Sequence, residues 1–156
     1  MDFYIVVPVY NEELYIGQML ESVVNQSILP KKVVVVDDSS TDGSSLIIQQ
    51  YANKFPFIKY VRNDSAKNHE PGTKVINAFY KGFKLLESDY DVICKFDADL
   101  IFPSDYIETL AGVFQNDLTI GMAGGFCYVK KNGEWELENL TGKDHIRGAL
   151  KAYRKE

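Results

Sequence analysis

Two groups of carboxylates have the type and spacing to do chemistry: Asp37-Asp38 and Asp97-Ala98-Asp99. Each closes an apolar run, "KVVVVDD" at 32–38 and "YDVICKFD" at 90–97. No basic residue separates Asp97 from Asp99, and apolar residues resume at once with Leu100, Ile101 and Phe102. At roughly 7 Å and an effective dielectric of about 20, two such charges repel by about 2 kcal/mol. Water, a partner Lys or a metal ion must offset that. Hard cations such as Mg²⁺ or Mn²⁺ take oxygen ligands, usually one or two carboxylates with substrate phosphates completing the shell. A metal would resolve the repulsion and let a nucleoside diphosphate bind an otherwise acidic surface. Taken singly, each group has a plainer account. Asp38 can open an Asx turn into "SSTDGS", and Asp97-Ala98-Asp99 can be a solvated strand end. Two acidic clusters, each ending an apolar strand in one array, favour function.

The elements that must position these acids follow from periodicity. "YIVVPV" (4–9) and 32–38 are β-branched runs with almost no alternation, as expected of strands covered on both faces. "FIKYVRND" (57–64) and 90–97 supply two more. Between them, apolar residues recur at helical spacing. They are Ile16, Met19, Leu20, Val23 and Val24, then Leu46, Ile47, Tyr51 and Phe55, then Val75, Ile76, Phe79, Phe83 and Leu86, and last Tyr106, Ile107, Leu110 and Phe114. Asn11 is the expected N-cap of the first helix, with Glu12 and Glu13 in its first turn and Pro30 ending the segment. Residues 1–115 thus read βαβαβαβα, a mostly parallel open sheet with helices on both faces. Beyond them, "IGMAGGFCYVKKNGEWELEN" predicts a hairpin about Asn132-Gly133, and "HIRGALKAYRKE" predicts a strand or a helix start. The whole is expected to be a single domain over 1–156, with 116–156 beginning an acceptor-side region.

Ligands of such sheets bind beyond the carboxyl ends of the strands. The four ends carry Tyr10 and Asn11, Asp37 and Asp38, Asn63 and Asp64, and Asp97 and Asp99. Glu12 follows the first strand, and Lys74 and Asn77 open a helix at the same edge. Arg62 and Lys67 are the main cations nearby. A net charge of −5 excludes nucleic acid as the main partner. Cys94 and Cys127 sit in apolar runs and read as buried free thiols of a reducing compartment. The N-terminus lacks a signal peptide and no run is long enough to span a bilayer. A cytoplasmic protein is expected, membrane-associated only through a longer parent. His69 and His145 have no second ligand at metal spacing and are expected to be exposed, and Trp135 to pack across its hairpin.

"IVVPVYNEE" (5–13), "VVVVDDSSTDGS" (33–44) and "KFDADLIFP" (95–103), in that order, resemble the inverting glycosyltransferases of family 2, with the GT-A fold. "PGTKVINAF" (71–79) is similar to that family's Gly-rich helix entry. The resemblance implies a nucleotide-diphosphate sugar donor, UDP- or GDP-linked, and an acceptor saccharide or lipid-linked saccharide. It implies that Pro8 and Tyr10 line the base, that Asp38 accepts from the base edge and that Asp37 supports that strand end. Asp97 faces the ribose or metal, beside Ala98, and Asp99 holds the divalent ion on the diphosphate. The family's general base lies well beyond this motif. None of Glu134, Glu136, Glu138 and Asp144 matches it, so the base is expected downstream of Glu156, and the chain to bind a donor while transferring slowly or not at all.

Other classes fit less well. A phosphoacceptor receiver carries its acidic pair on the first strand. A sugar nucleotidyltransferase has a Gly-rich basic loop after that strand. The dinucleotide G-x-G-x-x-G and the P-loop G-x-x-x-x-G-K-[ST] are absent. The remaining alternative is a donor-binding or regulatory module without a base.

Overall fold

The computed structural model describes residues 1–64, 73–138 and 145–155. Strands β1 (Phe3–Val9), β2 (Lys32–Asp37), β3 (Ile58–Arg62) and β4 (Val92–Phe96) alternate with helices α1 (Ile16–Val24), α2 (Ser44–Lys54), α3 (Thr73–Phe83) and α4 (Tyr106–Asn116). The chain continues through β5 (Met122–Ala123), the hairpin β6 (Tyr128–Lys131) and β7 (Glu134–Leu137), and β8 (Leu150–Arg154). The main sheet runs β3-β2-β1-β4-β8-β5. Its first four strands are parallel, and β8 lies antiparallel between β4 and β5. The tail is therefore a strand, and the sheet is mixed at that edge. Among the described residues no helix is long and apolar enough to cross a membrane.

The apolar runs form strands because both faces of β1 and β2 are covered. Ile5, Val7, Val33 and Val35 join the larger core beneath α1, α2 and α4, while Val6, Val34 and Val36 join a smaller one beneath α3. The register brings Val9, Asp37 and Arg62 abreast. On the other side of β1, Val6 pairs with Lys95, the last β1–β4 partner pair. Pro8 brings no N–H to a ladder, and the Asp97 N–H donates to Ala149 O at 2.8 Å, on the β8 side. The two strands part there, and a cleft opens between them.

Several local expectations are corrected. Asn11 does not cap α1, which begins at Ile16 after Tyr15, with no side-chain cap. Asn11 instead adopts φ 55°, a left-handed conformation that Asn tolerates better than most residues. Its Oδ1 accepts from the Thr41 N–H at 2.8 Å, and the Glu12 N–H donates to Ser44 Oγ at 2.8 Å. Residues 11–13 spend their polar groups on the turn after β2, so no helix starts there. Helix α1 also stops at Val24, well before Pro30. In α2, Leu46 is exposed and Ile48 takes the buried position. In α3, Val75 and Ile76 are exposed, and Ala78 and Gly82 face the sheet.

The α3 correction has a steric cause. A Cβ on Gly82 would sit 2.6 Å from Val6 Cγ1 and 2.8 Å from Val36 Cγ2. Only small residues let the helix approach so closely, and they rotate its larger side chains outward. The hairpin forms as expected, with Asn132 at φ 51° and Gly133 at φ 90°, both positive as a two-residue turn requires. Trp135 is exposed and faces Lys130 across the strands, with Nζ 6.0 Å from its ring centroid. Cys94 is buried and Cys127 only partly so; both are free thiols. His145 is exposed, whereas Lys67, His69 and Asp144 lie outside the described residues.

Replacing Gly82 with Val should overpack this contact and destabilise the fold by about 1–3 kcal/mol, read as a lowered midpoint in urea denaturation. An unchanged midpoint would show that α3 does not rest on Val6 and Val36.

Candidate functional site

Asp37 and Asp38 are adjacent in sequence and do different work. Asp37 is fully buried. Burial pushes its carboxyl up, but hydrogen bonds from Ser40, Ser45 and Tyr60 outweigh this and hold it below the usual carboxylate range. The Ser40 N–H donates at 2.9 Å, Tyr60 Oη at 3.1 Å and Arg62 Nη1 at 3.0 Å, with Ser45 Oγ also in contact. Its acceptor capacity is spent on the turn after β2 and on β3. Asp37 does not line the cleft; it supports the strand end that does.

Asp38 is almost as buried, and among the described residues its carboxylate is only partly satisfied. Its N–H donates to Val9 O at 2.8 Å, which ties it to β1. Asn63 Nδ2 donates to its Oδ1 at 2.6 Å, and Lys81 Nζ donates to Asn63 Oδ1 at 2.8 Å. A lysine ammonium can only donate, so it fixes which way the Asn63 amide points. Among the described residues no donor reaches Asp38 Oδ2, and the residue lines the cleft. Sequence reasoning placed Asn63 at the third strand end and gave it no role. Lys81 was missed altogether, since nothing in a helical repeat marks a lysine that will reach back to the end of the preceding strand.

The cleft measures about 350 Å³. Pro8, Tyr10 and Glu12 form one side, Asp38 the floor, Lys74 the α3 side, and Asp97, Ala98 and Asp99 the β4 side. Tyr10 is exposed, with Lys74 Nζ 5.9 Å from its ring centroid. Ala98 is buried, and its small side chain lets Asp97 and Asp99 flank it. Eight of the ten named residues thus meet in one cavity, and Asp37 and Asn77 stand outside it. Asn77 is exposed on α3.

The charge conflict at Asp97 and Asp99 is only half resolved by protein. Lys95, on β4 two residues before Asp97, forms an ion pair with it. Asp99 is exposed and makes no ion pair among the described residues. The surplus negative field is felt across the cleft. The Glu12 carboxyl is pushed up, first by burial and then by Asp99, Asp42 and Asp97. An all-oxygen, anion-rich set of this kind suits a hard divalent cation. Among the described residues no three His, Cys, Asp or Glu side chains stand close enough to cage an ion alone. The hairpin carboxylates are elsewhere: Glu136 pairs with Lys131 and Glu138 with Arg147, and neither they nor Glu134 line the cleft.

Comparison with known proteins places this geometry. The sequence profile described as "Glycosyl transferase family 2" matches residues 4–154. The Bacillus subtilis (strain 168) protein "Minor teichoic acid biosynthesis protein GgaB" is 29% identical over 150 residues, which are 93% of this chain and 16% of that protein. The solved S. aureus TarS 1-349 in complex with UDP-GlcNAc is similar with a TM-score of 0.59 and 28% identity, over 74% of this chain and 32% of that one. The mannosyltransferase PcManGT from Pyrobaculum calidifontis, in complex with GDP-Man and Mn2+, shares the fold with a TM-score of 0.67 at 20% identity, over 97% of this chain and 44% of that one. The chain therefore spans less than half the length of each of these three proteins.

The Asp37 network sets a pH-dependent prediction. Asp37→Asn should destabilise by about 1.5–3 kcal/mol near neutral pH, because a charge-assisted network loses its anion. A depressed folded-state value means the contribution is present above the unfolded value near 4 and is lost as pH falls through the lower, folded one. Denaturation midpoints of wild type and variant should therefore converge in acid. Parallel curves down to about pH 2 would be inconsistent with an ionised Asp37.

Proposed function

Because the chain belongs to glycosyl transferase family 2, we propose that it binds a nucleoside-diphosphate sugar and serves transfer of that sugar to an acceptor hydroxyl, with inversion and with a divalent metal. The observation that carries the reading is the cleft itself. A buried acceptor at Asp38, whose Oδ2 no donor reaches among the described residues, lies on its floor, and carboxylates stand on its rim. In this reading Tyr10 packs on the base and Asp38 Oδ2 accepts from an imide N–H, a task for an acceptor-only group. The likeness to the TarS complex with UDP-GlcNAc favours uridine as that base. Lys81 and Asn63 hold the Asp38 carboxylate in place.

Asp99, with Asp97 beside it, would hold Mg²⁺ or Mn²⁺. The bound ion would neutralise charge on the departing diphosphate as a Lewis acid. Lys74 would face the phosphates, and Lys95 orients Asp97 through their ion pair. The acceptor hydroxyl needs a carboxylate to take its proton. Since the hairpin acids are paired or distant, that base is proposed to lie outside residues 1–156. The same observation favours a second reading, in which residues 1–156 form a donor-binding module that transfers little by itself. The likeness to GgaB favours a polymer or glycoconjugate of the cell envelope as the final product.

Calorimetry with UDP, GDP and their sugars, with and without Mn²⁺, tests the proposal. Uridine nucleotides should bind only with metal, and that metal-dependent binding should vanish in Asp99→Ala. Asp38→Ala should weaken UDP by about tenfold, the loss of roughly one charge-assisted hydrogen bond. Metal-independent binding, or none, would overturn it.

A further inference from the structure

The Asp38 carboxylate ends a chain of donors that begins outside the cleft. Lys81 stands in the last turn of α3, half-buried, and its Nζ donates to Asn63 Oδ1 at 2.8 Å and to Arg62 O at 3.2 Å. Asn63 Nδ2 donates in turn to Asp38 Oδ1 at 2.6 Å. Neither Lys81 nor Asn63 lines the cleft. Among the described residues the Lys81 ammonium pairs with no carboxylate. The nearby acids Asp37 and Asp64 are taken by Arg62, and Lys81 spends its charge on two neutral oxygens.

The middle member of the chain has freedom only at its amide. The Asn63 N–H donates to Asp37 O at 2.7 Å, and its carbonyl accepts from Ser39 Oγ at 2.8 Å. The backbone is fixed on both sides, so what remains is which end of the amide meets Asp38. Turned over, its oxygen would face a carboxylate oxygen and its NH₂ would face an ammonium. Lys81 forbids that arrangement. It also draws charge from Asn63 Oδ1, which strengthens Nδ2 as a donor within such a chain. Asp38 Oδ1 is thereby occupied, and Oδ2 is the oxygen left for the cleft.

A fixed acceptor at that point separates two bases of the same size. Uracil presents its N3–H, whereas cytosine presents a lone pair at N3. An acceptor facing a second acceptor leaves both without a hydrogen bond after losing water, and that mismatch is rejected strongly. We propose that Lys81 is a positioning residue for base selection: acting through Asn63, it fixes Asp38 as the acceptor that admits uracil and rejects cytosine. Lys81 itself touches no atom of the nucleotide. The proposal rests on the donor reading for the placement of the base at Asp38.

Calorimetry of the whole chain with UDP and with CDP, each with Mn²⁺, tests it. Wild type should bind UDP at least about thirtyfold more tightly than CDP. Lys81→Met should cut that ratio about fivefold through weaker UDP binding, with an unchanged circular dichroism spectrum. Lys81→Arg, which still donates, should keep the ratio. Asn63→Ala should lose the same discrimination, and it carries the test if Lys81→Met does not fold. In the Asn63→Ala background Lys81→Met should have no further effect, since members of one chain do not act additively. Pyrophosphate with Mn²⁺ has no base and should bind wild type and Lys81→Met alike. No UDP binding by wild type would overturn the donor reading and this inference together. UDP binding with an unchanged ratio in Lys81→Met, or additive losses in the double variant, would overturn this inference alone. Equal weakening of pyrophosphate would make Lys81 a merely structural residue and overturn it as well.

Discussion

Val9, Asp37 and Arg62 stand abreast at the ends of three parallel strands, and the site depends on that register. A slip of one residue would turn every side chain of a strand to the opposite face. It would take Arg62 away from the buried Asp37 carboxylate, leaving a desolvated charge without its cation. The continuous valine run of β2 cannot define register by alternation, because it is apolar on both faces. The polar residues at the strand end supply that definition. Asp37 is bound by Ser40, Ser45, Tyr60 and Arg62, and so joins β2, the following turn, the start of α2 and β3 at one point.

From this anchored edge the cleft follows by divergence. β1 and β4 stay paired through Val6 and Lys95, then separate where Pro8 has no N–H and where Asp97 bonds toward β8. Backbone groups on the two walls are thus satisfied away from the opening, and side chains are left to face it. The loop after β1 is held in turn by the loop after β2, with Asn11, Glu12 and Glu13 bonded to residues 40–44. Tyr10 and Glu12 are carried on a braced loop and not on a helix end.

The same sheet shows how packing redistributes a hydrophobic pattern. The stripe on α3 was legible as helical, yet the residues in closest contact with the sheet are Ala78 and Gly82, the smallest in that segment. Small residues permit the close approach, and the large apolar side chains Val75, Ile76 and Tyr80 turn outward. A pattern of apolar residues tells that a helix has a face to bury. It does not tell how much of that face its own sheet will cover.

The element order of residues 1–115, its parallel strands, the hairpin and the polar residues at the strand ends were all determined by the amino-acid sequence alone. They depend on short-range properties: period, β-branching, and the turn chemistry of Asn132-Gly133. Eight of the ten residues named from the sequence line one cleft, most of them because the ends of parallel strands necessarily share one edge. Only the tertiary structure decided the partners. It surrounded Asp37 with Ser40, Ser45, Tyr60 and Arg62, set Asp38 on the cleft, paired Asp97 with Lys95, and brought in Asn63 and Lys81. Those assignments depend on partners up to 43 residues away in the chain, the separation of Asp38 from Lys81. A carboxylate's role is set by which donors surround it in space, and no local pattern encodes that.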